Sequence, residues 1–436
     1  MRRNILESMY KTLEDKFHPK YPSKSNATYS SLLNFSDDLN TPFQRWYRYK
    51  EGFSTKLVDK ILDEYQISKD SQVLDPFLGG GSTILSATDK GMKGKGFEVN
   101  PFSLFLSKTK LRNYSSINVN NFNKAFNHIM QESLDSKIDY QLPKLSFAER
   151  VFPPKIESYY LRIKALIEKE YADQEYIYDL LKLGWLSQLE YISNYRKAGN
   201  GLKIRRYKNP RNISVNDVYQ ILFEQYMNMY LDMLNFEKTR EFTLYPKSSL
   251  SMEEQIESNS ISAIIFSPPY ANCFDYTEIY KLELWFGDFV KSYDDMRSLR
   301  NISLRSHLSA DLRKNNENEF IHPILEDIFF RLKGIDLWDD RIPYMVNDYF
   351  YDMNSILHQS YNLLKHNGLC SIVVGNSSYG GVIIPTDLLF SELAIENGFT
   401  VDSFEIDRFL ITSSQQYDET KENGNYLRES VICLKK

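Results

Sequence analysis

Ser267-Pro268-Pro269-Tyr270 places a hydroxyl oxygen, a main-chain carbonyl and an aromatic ring within four residues. The run at 261–266 just before it is apolar and reads as a buried strand, so the tetrapeptide sits at a strand's carboxyl end. The Ser267 side chain and the Pro268 carbonyl can both accept hydrogen bonds from one amino group. Two successive prolines stiffen the loop, so both acceptors are in position before a ligand arrives. Taken alone, Pro-Pro-Tyr after a strand is equally an ordinary rigid turn.

A second stretch carries chemistry of another kind, Asp75-Pro76-Phe77-Leu78-Gly79-Gly80-Gly81-Ser82-Thr83. Residues 72–74 before it read as a short buried strand and 82–90 after it as a helix. Glycines let a backbone approach a ligand closely, because no Cβ intervenes and positive φ is free of strain. A further strand at 95–97 closes on Glu98-Val99-Asn100-Pro101. This puts a carboxylate one strand over, about 20 residues on, where it can accept hydrogen bonds from ribose hydroxyls. A dinucleotide fingerprint needs a third glycine where Ile84 stands, and a phosphate loop needs Gly-Lys-Ser/Thr, which is absent.

These loops need a sheet to hold them, and 436 residues can bury one large core or one core with a sizeable insertion. Strands are expected at 242–245, 261–266, 369–374, 401–406 and 429–434, with helices at 55–65, 275–286, 348–364 and 386–396, an α/β alternation. The region 115–242 breaks that pattern with long helical stretches at 155–168, 176–193 and 215–236 and no strand alternation, so it reads as an inserted helical region. A second, polar insertion, rich in Arg and Asn, spans about 291–341 and is a further candidate for contact with a polyanion. The first forty residues read as a polar arm that packs over the core or touches a partner.

Composition is that of a globular protein, 42% hydrophobic and 25% charged, with a formal net charge of -5. A polyanionic partner would therefore need a local basic patch. Residues 194–211 offer one, with seven cationic side chains and no acidic one, interleaved with Tyr195 and Tyr207. Such a run is ordinarily a solvated face, but with its glycines it suits phosphate contact. Arg196, Lys197, Lys203, Arg205, Arg206 and Lys208 are the candidates. The 31 Tyr and 27 Phe are read as the codon bias of an AT-rich genome rather than as a stacking device. Cys273, Cys370 and Cys433 have neither zinc nor disulfide spacing, so no metal and a reducing, cytoplasmic setting are expected. No signal-peptide core follows Met1, and no apolar run is long enough to predict a membrane span.

Asp-Pro-Phe-x-Gly-x-Gly-Ser-Thr together with Ser-Pro-Pro-Tyr resembles the cofactor and catalytic motifs of the amino-methylating DNA methyltransferases, and 428–434 resembles their final motif. The resemblance covers roughly 41–110 and 240–436. It implies a Rossmann-like, seven-stranded S-adenosylmethionine-dependent methyltransferase fold with a helical insertion, parallel but for one strand near its end. The implied division is an arm and cofactor-binding half at 1–115, a helical insertion for target recognition at 116–241, and a catalytic half at 242–436. S-adenosylmethionine would be held by Asp75, Pro76, Phe77, Gly79, Gly81, Thr83, Glu98 and Asn100, with Phe53 of the aromatic segment Trp46-Tyr47-Arg48-Tyr49-Lys50-Glu51-Gly52-Phe53 as one wall. Where the family often has an acidic residue after the third strand, this chain has Tyr245-Pro246-Lys247-Ser248.

Ser267, Pro268, Pro269 and Tyr270 would be catalytic. An exocyclic amine is a poor nucleophile because its lone pair is delocalised into the base, and two acceptors would draw it toward a tetrahedral geometry. Tyr270 would stack on a base flipped out of the duplex. In these families Ser-Pro-Pro-Tyr goes mainly with cytosine and Asp or Asn at its first position mainly with adenine. Methylation at ring carbon 5 needs a Pro-Cys dipeptide, which is absent. The expectation is an N4-cytosine methyltransferase acting on double-stranded DNA, in a restriction-modification pair with a companion endonuclease. An N6-adenine enzyme, an RNA or protein methyltransferase, and a non-catalytic DNA-binding subunit stay open. Glu419-Thr420-Lys421 has nuclease-like spacing but no separate domain to hold it.

Overall fold

The computed structural model describes residues 2–22, 28–29, 32–33, 35–199, 201–205, 212–313, 319–410 and 421–436. One sheet has seven strands: β1 Gln72–Asp75, β2 Lys93–Phe97, β3 Glu241–Tyr245, β4 Ile261–Phe266, β5 Leu364–Gly375, β6 Thr400–Phe409 and β7 Arg428–Lys435. They lie in the order β6-β7-β5-β4-β1-β2-β3. Only β7 runs against the rest, pairing antiparallel with both β5 and β6. The fold is thus the Rossmann-like seven-stranded α/β arrangement expected.

The chain goes outward from β1 to β2 and β3, then returns to the other side of β1 as β4. Val73 pairs with Ala263 and Leu74 with Ile264, so the loop after Asp75 and the loop starting at Ser267 leave neighbouring parallel strands at the same end. A reversal of strand order of this kind opens a crevice at the carboxyl ends. Both strands are buried on their two faces, as the continuous apolar runs require. On one face the helix Thr55–Glu64, capped by Ser54, buries Leu57, Val58, Ile61 and Leu62. The helix Ile342–Leu363 covers the other.

Several boundaries move. The helix expected at 348–364 starts at Ile342, and β5 begins at Leu364 rather than 369. His366-Asn367-Gly368, between the expected helix and strand, lies inside that strand. Asn367 sits at φ 63° with its amide on the Lys436 carbonyl, and pairing with β4 resumes at Ala263–Leu369. The arm expected over the core includes the helix Arg2–Phe17, whose Tyr10 and Leu13 are buried. Tyr10 donates to the Ile383 carbonyl at 2.8 Å.

The first insertion contains the helices Asn120–Asp135, Pro154–Tyr171, Glu175–Ser187 and Val215–Leu234. Their core is continuous with Phe43, Trp46, Tyr47 and Tyr49. Asp232 accepts from Trp46 Nε1 at 2.9 Å, from the Phe43 amide at 3.1 Å and from Arg45 Nε at 3.0 Å. The insertion is therefore welded to the aromatic segment. It also holds strands where none were expected, an antiparallel hairpin of Tyr195–Ala198 and Gly201–Ile204. Among the described residues no helix is long and apolar enough to cross a membrane.

Candidate active site

A cleft opens where the order of strands reverses. Phe53, Asp75, Pro76, Phe77, Gly79, Glu98 and Asn100 are among the residues that line it. Glu98 Oε2 accepts from the Gly79 amide and Oε1 from the Asn100 amide, each at 2.8 Å. The carboxylate is thus fixed by both oxygens while each keeps a lone pair for a hydroxyl. Burial pushes Glu98 up to about 7, against the amides of Asn100, Gly79 and Val99 that favour its charge. Burial likewise lifts Asp75 to about 7, opposed by the Phe77 amide at 2.9 Å and the Thr83 hydroxyl.

Asn100 uses its Oδ1 to cap the helix Pro101–Leu111 through the amides of Phe102 and Ser103. That leaves its Nδ2 buried with no partner among the described residues, in a side chain that lines the cleft. An uncommitted donor beside a fixed carboxylate suits the nucleoside part of S-adenosylmethionine, and the apolar faces of Phe53 and Phe77 suit its less polar parts. The acid missing after β3 is replaced by Lys247, Ser248 and Ser249, which also line the cleft.

Two expected cofactor residues do other work. Gly81 stands at φ +80° at the start of the helix Ser82–Asp89, where a Cβ would come within 2.8 Å of Ser107 Oγ. Thr83 is buried and donates to the Ile265 carbonyl at 3.2 Å, which ties that helix to β4. Neither lines the cleft, because a helix starting at Ser82 turns both away from it. Conversely Tyr49 was missed. Its ring lies against the loop so closely that a Cβ on Gly80 would sit 2.9 Å from its Cγ, and it stacks on Tyr280 at 5.0 Å. Three aromatics precede Gly52 and Phe53 in that segment, and spacing alone could not single out this one.

Ser267 and Pro269 line the cleft at the end of β4, while Pro268 is buried behind them. Tyr270 also lies outside the cleft lining. Its ring presses on Gly375, where a Cβ would meet it at 2.6 Å, and its hydroxyl donates to Glu429 Oε1 at 2.8 Å. Burial first, then the charge of Glu429, keeps the phenol well above its ordinary pKa. Glu429 accepts from Arg408 Nε at 2.6 Å, which fixes the clamp. The Ala271 carbonyl accepts from Ser377 Oγ at 2.6 Å and Tyr379 hydroxyl at 2.9 Å, so the loop after Ser267 is held on several sides. Burial lifts the Cys273 thiol to about 11, which keeps it protonated beside Tyr379. Among the described residues no cluster of His, Cys, Asp and Glu could hold a metal ion.

Further lining comes from the second insertion and from the short helical segment that precedes it. Asp275, Tyr276 and Thr277 face the cleft with Leu299, Ile302, Leu304, Ser306 and His307. Arg300, at the end of the helix Tyr293–Ile302, donates from Nε to Asp275 Oδ2 at 2.8 Å and Thr277 Oγ1 at 3.0 Å. Arg305 pairs with Asp352, and Arg313 reaches Asp348 Oδ1 at 2.7 Å. The sequence offered these arginines as candidates for contact with a polyanion, whereas these three serve as anchors.

The basic stretch divides in the same way. Arg196 and Lys203 lie directly opposite each other in the hairpin and are exposed. Lys197 points the other way and is buried, its Nζ 2.8 Å from Glu283 Oε1 and 4.0 Å from the centroid of Tyr280. It cannot reach a phosphate, because alternation along the strand turns it into the core. Arg205 is half-buried and donates to the Ser193 and Glu190 carbonyls at 3.3 and 3.0 Å, closing the end of a helical turn. Arg206 and Lys208 lie outside the described residues.

The sheet order, the glycine and carboxylate cradle after β1 and β2, and the Ser-Pro-Pro-Tyr loop after β4 are arranged as the resemblance to S-adenosylmethionine-dependent methyltransferases implies. No family model matches the chain. It is similar to the type II methyltransferase M.AvaI of Nostoc sp., 26% identical over 447 residues, 97% of this chain and 91% of that one. M.BsoBI of Geobacillus stearothermophilus is 27% identical over 460 residues, covering 93% and 88%. M.MvaI of Kocuria varians is 21% identical over 409 residues, covering 87% and 86%, and both are type II methyltransferases. The resemblance to amino-methylating DNA methyltransferases thus runs through nearly the whole chain, insertions included, and S-adenosylmethionine is the cofactor.

Proposed function

We propose that this chain methylates the exocyclic N4 amine of cytosine in duplex DNA, as the modification enzyme of a restriction-modification pair. The observation that carries the reading is the placement of Ser267 beside the Asp75 loop, on neighbouring strands and in one cleft. S-adenosylmethionine supplies a methyl group activated by its positive sulfur, so alignment matters more than a strong base. Ser267 Oγ and the Pro268 carbonyl accept from the amine and localise its lone pair, and the braces at Ala271 keep them in place. A paired base cannot enter such a cleft, so the target is extruded, at a cost of a few kcal/mol.

Support for DNA comes from the type II relatives and from Arg196 and Lys203. Like charges directly opposite in a hairpin repel, and neither makes an ion pair with a described residue; an anionic backbone would relieve both. Serine rather than an acid at the head of the tetrapeptide favours cytosine. Tyr270 is clamped by its hydroxyl and lies outside the cleft lining, which makes it a support of the loop; a base would stack on it only if extrusion opened that clamp.

The test is mass spectrometry of nucleosides from duplex DNA incubated with the protein and S-adenosylmethionine, with Ser267→Ala as control. N4-methylcytosine is expected from the wild type, with the yield falling at least about 100-fold in the variant while cofactor binding persists. Methyladenine instead would keep the mechanism and change the base. Label in RNA or protein alone would overturn the DNA reading.

A further inference from the structure

His307 lines the same cleft as Ser267 and is only 3% exposed, yet its Nδ1 has no hydrogen-bond partner among the described residues. A buried polar atom left unpaired is costly, so its retention beside a ligand cleft calls for a partner that arrives with the ligand. Burial, only partly opposed by nearby Asp275 and reinforced by Arg300, lowers its pKa, so the ring is neutral near pH 7 and one nitrogen carries a proton. The residue is also held still. Arg300 fixes the chain before it to Asp275, Arg305 fixes it to Asp352, and Arg313 after it is fixed to Asp348.

We propose that His307 is a substrate-contact residue that donates a hydrogen bond from Nδ1 to the ring nitrogen next to the exocyclic amine of the extruded base. The inference rests on the base-methylating reading above. Both possible targets present an acceptor there, N3 in cytosine and N1 in adenine. A base seated with its amine at Ser267 needs such a donor, since its Watson–Crick partner has been left behind. Asn100 and Glu98 supply a donor and acceptors of their own for the cofactor, whereas His307 lies near Asp275 and Arg300.

The experiment measures transfer of tritiated methyl groups to unmodified duplex DNA by wild type, His307→Leu, His307→Ala and His307→Asn. Calorimetric affinity for S-adenosylmethionine and a melting curve are recorded for each. Leucine and alanine are expected to lower kcat/KM about 10- to 100-fold with cofactor affinity unchanged. Asparagine, whose amide nitrogen can stand where Nδ1 stands, is expected to recover most of the loss. If one apolar variant fails to fold, the other carries the comparison. Undiminished transfer in the apolar variants, or a loss that asparagine does not relieve, overturns the contact. Weakened S-adenosylmethionine binding assigns the histidine to the cofactor instead. A wild type that labels no DNA overturns the substrate reading and this contact with it, a result distinct from wild-type labelling that His307 variants leave intact.

Discussion

The two insertions invite opposite expectations and receive opposite roles. The first, with its concentrated basic stretch, is a hydrophobic helical body whose core merges with the aromatic wall of the cofactor site, and only alternate cations of its hairpin face outward. The second, diffuse and polar in sequence, lays a strap of chain along the cleft and ties it down with arginines. Positive charge in both is largely used to fasten segments to the core. What separates an anchor from a contact is not the residue type but whether a buried carboxylate stands opposite.

That comparison can be tested by removing the carboxylates. Glu283→Ala leaves Lys197 charged in a site where its side chain is 4% exposed, and a loss of about 3–5 kcal/mol in urea unfolding is expected. Asp348→Ala removes a partner from Arg305 and Arg313, whose side chains are 20% and 34% exposed and can turn to water. A smaller loss, about 1–3 kcal/mol, is expected there. Equal losses would show that burial does not rank the two anchors.

The cofactor end adds a pH dependence. Glu98 and Asp75 have folded pKa values raised to about 7 from ordinary values near 4. Their contribution to stability is therefore full below about pH 4 and lost as pH rises through about 7. A cofactor whose hydroxyls bond to ionised Glu98 works in the other direction. Its affinity should fall about tenfold per pH unit below 7, and Glu98→Gln should flatten that slope in calorimetric titrations. The smallest effect is expected at the hairpin. Arg196→Ala and Lys203→Ala should each weaken DNA binding by about 1 kcal/mol at low salt and lower the slope of log K against log salt by about one. Lys197→Ala should instead register as lost stability, and an outward pair with no influence on DNA would remove the contrast on which the division rests.

Much of the active site was legible because its chemistry is local. The loop from Asp75 to Gly80, Glu98 and Ser267 each follow a short apolar run that can only be a strand, and a turn at a strand end carries its residues with it. Lys197 and Arg205 were misread because a charge run has no inside until the hairpin gives it one. Gly81 and Thr83 fall outside the cleft lining because the exact point where a helix begins decides which side chains face it. Tyr49 and His307 carried no signal in spacing at all, and the strap around His307 was visible only as arginines among leucines.

By itself, then, the sequence determined the seven-stranded α/β sheet, the two loops at its carboxyl edge and the chemistry of their residues, since strand periodicity, glycine turns and paired prolines act over a few residues. The tertiary structure decided which cations are buried, which aromatic lies on the glycine loop and which distant segment closes the cleft. Those outcomes depend on contacts between residues far apart in the chain, as when Glu283 meets Lys197 or Asp352 meets Arg305, and desolvation at those contacts sets the roles.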